Sequence, residues 1–231
     1  FWEKEINYGR VKFQRSSLFI NHWLIAKTGE EVLNREIFST FKNYADHESR
    51  ISMLELLEQI HSAAVKYKEI FDGSENKEGE INRVELFVYR LNSMELDVLR
   101  PILITLIDPT EVAVPQDELE KAVSVIESWM VRRLLVRATN KNYNKLVVEM
   151  VQVVNKDREH AGTRLERYFS EQSSVSSYWP DDVELSGFVS QMQIYRILYR
   201  SRIRMILEAL EDHSRGWIGG ETSKSGTRMK R

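Results

Sequence analysis

Only four prolines and ten glycines interrupt 231 residues. Proline removes a backbone donor and glycine loosens a helix, so a chain this poor in both is predisposed to long helices. The apolar spacing agrees. Ser16 and Ser17 can cap a helix carrying Leu18, Phe19, Trp23 and Leu24, with Gly29 as its stop. Ile37, Phe38 and Phe41 follow at helical spacing. Ser49 can cap a longer helix whose stripe is Ile51, Leu54, Leu57, Ile60 and Ala64, ending at Gly73.

The stretch SENKEGE is polar, charged and glycine-containing, and reads as an internal linker. A helix from about Ile81 to Leu91 then presents Val84, Phe87, Val88 and Leu91 to a core. PILITLI is nearly all apolar, which predicts a buried central helix started or kinked by Pro101. A buried strand is disfavoured because no partner strand is in view. QDELEKAVSVIESWMVRRLLVRA is the best-punctuated helix: Asp117, Glu118 and Glu120 open it, and Arg132, Arg133 and Arg137 close it, matching the helix dipole. Two shorter helices follow. Another starts at Pro180, and the last runs from about Gln193 to His213, with Gly216 as its stop. The expected fold is all-α, with about ten helices and no hairpin. It divides into a helical subdomain over 1–73, a main one over 81–215, and a basic junction over 216–231.

Composition bounds the function. The chain is 42% hydrophobic and 29% charged, an ordinary globular balance. A net charge of −2 means that any polyanion binding must rest on a local patch. Without cysteine there are no disulfides, thiolate metal sites or thiol nucleophiles, which fits a cytoplasmic protein. No apolar run approaches the roughly 20 residues of a membrane span. The chain starts FWEKEINYGR, with neither an initiator methionine nor a signal peptide, so a piece of a longer protein is expected.

The usual catalytic patterns fail one by one. The tail GWIGGETSKSG lacks the phosphate-loop register, because Lys224 or Ser225 stands where the second glycine belongs. Asp181 and Asp182 are adjacent acids, but Leu185 stands where a metal-binding helix needs another; a helix start explains them as well. His22, His47, His61, His160 and His213 show no paired spacing, and no G-x-S-x-G is present. Arginine is the informative enrichment. Arg196, Arg200 and Arg204 recur every four residues beside Tyr195 and Tyr199, and the segment from Tyr195 to the end has nine Lys/Arg against four Asp/Glu. Such a stripe can meet phosphates; it can equally be a solvated face, with Arg204 pairing to Glu208.

Three stretches together carry a resemblance. VIESWMVRRLLVRATNKNYNKLVVEMV, YWPDDVELSGFVSQMQIYRILYRSRIRMILEALED and RSSLFINHWLIAKTGEEVLNREIFSTFKNY resemble the helical region of GmrSD-like restriction and phage-defence proteins. In that family a ParB-like nucleotide-hydrolysing domain is joined through long helices to an HNH-type nuclease domain. The resemblance spans roughly Arg15 to Gly216. It matches Trp129, Arg132, Arg133, Tyr143 and Asn144 to one motif, and Trp179, Pro180, Asp181, Tyr195 and Arg196 to the other.

The family's catalytic motifs are not in this chain, so no catalytic, cofactor-binding or metal-ligating residue is transferred. What the resemblance implies is a connector between two domains of a modification-dependent DNA endonuclease, the whole using a nucleoside triphosphate and a divalent metal. The flanking domains are then its partners, and Arg132 and Arg133 contact DNA or a neighbouring domain. The plainer role for those two arginines is to close a helix end and fix the loop bearing Asn144, whose amide can satisfy freed backbone groups. Two other readings stay open: a nucleic-acid-binding module built on Arg196, Arg200 and Arg204, and a dimerisation scaffold with no DNA role.

Overall fold

A computed structural model describes residues 1–8, 11–76 and 81–219, with the side chains of 6–8, 11 and 216–219 excepted. Eleven α-helices account for most of the described residues: α1 (Arg15–Thr28), α2 (Ile37–Asn43), α3 (Met53–Glu75), α4 (Arg83–Met94), α5 (Arg100–Ile107), α6 (Gln116–Leu135), α7 (Tyr143–Lys156), α8 (Ala161–Ser170), α9 (Asp182–Gln191), α10 (Ile194–Ile197) and α11 (Arg200–Gly219). The fold is all-α, as the scarcity of breakers implies.

One element departs from that expectation. Strands β1 (Glu5–Tyr8) and β2 (Val11–Gln14) pair antiparallel, with Ile6 opposite Phe13 and Asn7 opposite Lys12. The sequence signal was the alternation either side of Gly9–Arg10, and it was too short to outweigh the helical pattern. The hairpin runs straight into α1. The carbonyls of Lys4 and Trp2 accept from the amides of Arg15 and Ser16, at 3.0 and 3.2 Å, so backbone from the hairpin side satisfies the helix start that Ser16 and Ser17 were expected to cap. Gly29 does end α1, in the left-handed conformation at φ 65°.

The bounds of α3 also shift. Its cap is Ser52, not Ser49: the Ser52 hydroxyl accepts from the Glu55 amide, and the Glu55 carboxylate accepts from the Ser52 amide. The helix runs through Gly73 to Glu75. It buries Leu56, Ala63, Tyr67, Ile70 and Phe71, while the expected Leu54 and Leu57 face solvent. The same reciprocal cap, Asn82 with Glu85, starts α4, whose Val84, Phe87, Val88 and Leu91 are buried as expected.

Helix α5 is the centre. Every residue from Arg100 to Leu106 is buried, and α1, α3 and α7 pack around it. Pro101 sits in its first turn, where the missing amide costs nothing. Against α6 lies α8, drawn close by Gly162: a Cβ there would stand 2.6 Å from the carbonyl oxygen of Glu118. Glu118 in turn caps α8, its carboxylate accepting from the amide and hydroxyl of Thr163. One apolar cluster takes in Trp23 and Phe71 from one side of the 77–80 segment, and Phe87, Trp129 and Phe169 from the other.

The final helix is broken where continuity was expected. Leu198 is extended, at ψ 146°, and separates α10 from α11; its side chain is buried. Helix α11 continues past Gly216 to Gly219. The junction over 220–231 lies outside the described residues.

Candidate functional site

The two motifs that carry the family resemblance meet in space. Trp129, on the buried face of α6, donates from its indole to the Ser177 carbonyl at 2.8 Å. Its ring stacks on Phe169 and lies 4.9 Å from Tyr143, and Trp179 meets the far edge of Phe169. An aromatic layer therefore joins α6, α7 and α8 to the Ser177–Pro180 segment.

Arg133 closes this layer. It is 1% exposed, and its guanidinium donates to the Tyr143 hydroxyl and to the carbonyls of Tyr178, Thr139 and Val175. The three carbonyls belong to segments with no helix partners of their own, so the arginine replaces a missing ladder. Arg132, next to it, donates to the Pro180 carbonyl at 3.1 Å and pairs with Asp182 at 2.6 Å. Pro180 is buried two residues ahead of α9 rather than starting it, and Asp181 caps that helix by accepting from the Glu184 amide at 2.8 Å.

The expected roles therefore sort themselves. Trp129, Arg132, Arg133, Tyr143, Trp179, Pro180 and Asp181 form a single structural knot. Asn144 stands outside it: its amide donates to Glu31 at 3.2 Å on the surface, and Arg133, not Asn144, satisfies the loop carbonyls.

The arginine stripe does not survive the break at Leu198. Arg196 lies on α10 and is exposed, Arg200 opens α11 and is exposed, and Arg204 pairs with Glu208 at 2.7 Å, the expected i+4 partner. Glu208 is buried and also accepts from the Tyr89 hydroxyl, which holds α11 against α4. Arg202, off the stripe, donates to the Met94 carbonyl at the end of α4. Tyr195 and Tyr199 are largely exposed.

Among the described residues no three His, Asp or Glu side chains converge where a metal could sit, and no helix is long and apolar enough to cross a membrane. Comparison with family models, curated proteins and solved structures finds no match.

Two features were invisible in the sequence. One is exposed apolar surface: Phe38, Met53, Leu54, Leu57 and Val65 on α2 and α3, and Val183, Phe188, Val189 and Ile197 on α9 and α10. Val183, Phe188 and Ile197 of the second group border a groove of about 450 Å³ against Leu135 and Arg137 at the end of α6. The other is a cleft of about 930 Å³ lined by Arg15, Tyr67, Phe71 and Arg100. Neither has a local pattern, because tertiary packing assembles both.

Proposed function

We propose that this chain is a helical connector in a modification-dependent DNA restriction endonuclease. It holds a nuclease domain in position and couples it to a nucleotide-hydrolysing domain. The observation that carries the reading is exposed apolar side chains in two places: Met53, Leu54, Leu57 and Val65 on α3, and Val183, Phe188 and Ile197 around the groove of α9 and α10. Large apolar side chains left in water on two separate helix groups mark interaction surfaces. A connector needs two.

The knot supports the same reading. Seven of the ten motif residues matched by resemblance, all but Asn144, Tyr195 and Arg196, are spent on fixing the Ser177–Asp182 segment to the core, from which α9 leaves. That is the work of a scaffold rather than of a reaction centre. The nucleic-acid-binding alternative is weaker, since the stripe it needs is broken and Arg204 is engaged.

The purified chain, incubated with DNA and a divalent metal, is expected to leave the DNA intact. Cleavage by this chain alone would contradict the proposal. In the longer protein, Phe188→Asp is expected to abolish cleavage while leaving the melting temperature of this region unchanged. The residues encoded after Arg231 are expected to contain a histidine-centred nuclease motif.

A further inference from the structure

The cleft of about 930 Å³ holds two cations that the described residues do not fully pair. It opens between the start of α1, the end of α3, the turn before α5 and the loop before α7. Arg15 is 7% exposed, and its guanidinium sits in the corner made by the rings of Phe1 and Phe71, at 4.1 and 4.3 Å from their centroids. It makes no side-chain hydrogen bond or ion pair among the described residues, and its Nε is buried without a partner. Arg100 is 5% exposed and lies 5.2 Å from the same Phe71 ring. Its Nε donates to Asp97 at 2.8 Å and its Nη2 to Asn92, but Nη1 is buried without a partner. The Tyr67 hydroxyl lies against this guanidinium without completing a hydrogen bond of good geometry.

A buried guanidinium normally meets a carboxylate or carbonyl, because an unpaired buried charge is strongly disfavoured. Among the described residues Asp97 is the one carboxylate within ion-pair distance of either guanidinium, and it serves Arg100; Glu5, Glu31 and Glu95 line the same cleft beside Lys4 and Lys145. Burial, and after it the neighbouring Arg100, pushes the Arg15 pKa down against the opposing pull of Tyr67, Glu75 and Asp97, so the buried charge is not fully compensated. A guanidinium cannot discharge at neutral pH, so the deficit persists.

We propose that this cleft binds the phosphate group of a small polar molecule, through Arg15 and Arg100. A phosphate brings up to two charges and oxygens in tetrahedral directions, enough to serve orphaned donors on two guanidiniums; a carboxylate offers one charge and two oxygens in one plane. The cleft exceeds the size of the anion, and its wall carries Asn140 and Asn142, whose side chains make no hydrogen bond among the described residues. Free amides of this kind suit the hydroxyls of an attached sugar-like group.

The test is calorimetric titration of the chain with inorganic phosphate and with ribose 5-phosphate at constant ionic strength, with acetate as the control. One saturable site per chain is expected. Tighter binding of ribose 5-phosphate assigns an organic phosphate, and equal binding assigns free phosphate. Saturating ligand is also expected to raise the melting temperature by about 5 °C.

Arg15→Met is expected to lose binding at least about tenfold while melting no lower than the wild type in chloride buffer, since it removes an unpaired charge. Arg15→Lys keeps the charge but not the fork, and gives the same weakening if the Met variant fails to fold. No saturable heat at about 10 mM ligand, where even weak millimolar binding would register, would overturn the proposal. So would equal binding of acetate, or unchanged binding by both variants.

Discussion

Arg133 and Arg15 are both buried, both lie close to aromatic rings, and differ in what their nitrogens meet. Arg133 donates to a hydroxyl and three carbonyls, with the rings of Trp129, Tyr143 and Tyr178 around it. Arg15 has Phe1 and Phe71 and, among the described residues, no acceptor. The contrast separates two reasons for burying a cation. Where every guanidinium nitrogen is bonded from within, the arginine holds backbone segments together, and removing it strands their carbonyls. Where donors are left open beside a cleft, the arginine contributes little to the fold and is available to something else.

The largest effect is expected in the knot. Trp129→Ala removes a fully buried ring and the donor to Ser177, and should cost about 3–5 kcal/mol in urea unfolding. A loss under about 1 kcal/mol would mean the aromatic layer is not a keystone.

A smaller effect arises beside the cleft. His22 is buried, and burial first, then the Arg100 charge, holds its pKa down at about 3, against an ordinary value of 6.5. The folded state keeps it neutral while the unfolded chain takes up a proton. Stability is therefore complete above pH 6.5 and falls as pH drops from there toward 3. Between pH 7 and pH 5 the loss is about 2 kcal/mol, and His22→Gln should flatten that slope. A slope unchanged by the substitution would show that His22 is not the group whose burial sets it.

Next comes the surface partner of the knot. Asn144→Ala removes one exposed bond to Glu31 and should change stability by no more than about 0.5 kcal/mol. The smallest effect belongs to Arg196→Ala and Arg200→Ala, within about 0.5 kcal/mol in either direction, because both side chains are exposed. A large destabilisation by either would show that α10 is held more firmly than its surface position implies.

The sequence was most readable where local physics decides. Helix α6 carries acids at its start and arginines at its end, and Pro101 and Gly29 punctuate α5 and α1 as such residues should. It was least readable where several apolar residues compete for one core. Met53, Leu54, Leu56 and Leu57 nearly encircle the start of α3, so which side faces inward is settled by α4 and α5, not by spacing. The break at Leu198 has no glycine or proline to announce it; burial of that side chain fixes the extended backbone. Trp129 and Arg133 could be singled out as a motif, but their bonds to the Ser177 and Tyr178 carbonyls are tertiary. Arg15 and Arg100 come from helices far apart in sequence, so no window could have paired them.

The contrast between the two buried arginines is tested most directly by unfolding Arg133→Met and Arg15→Met side by side in chloride buffer at neutral pH. The account predicts that Arg133→Met loses about 3–5 kcal/mol, the cost of leaving buried acceptors bare, while Arg15→Met is unchanged or more stable. Equal losses in the two variants, or a larger loss at Arg15, would contradict it.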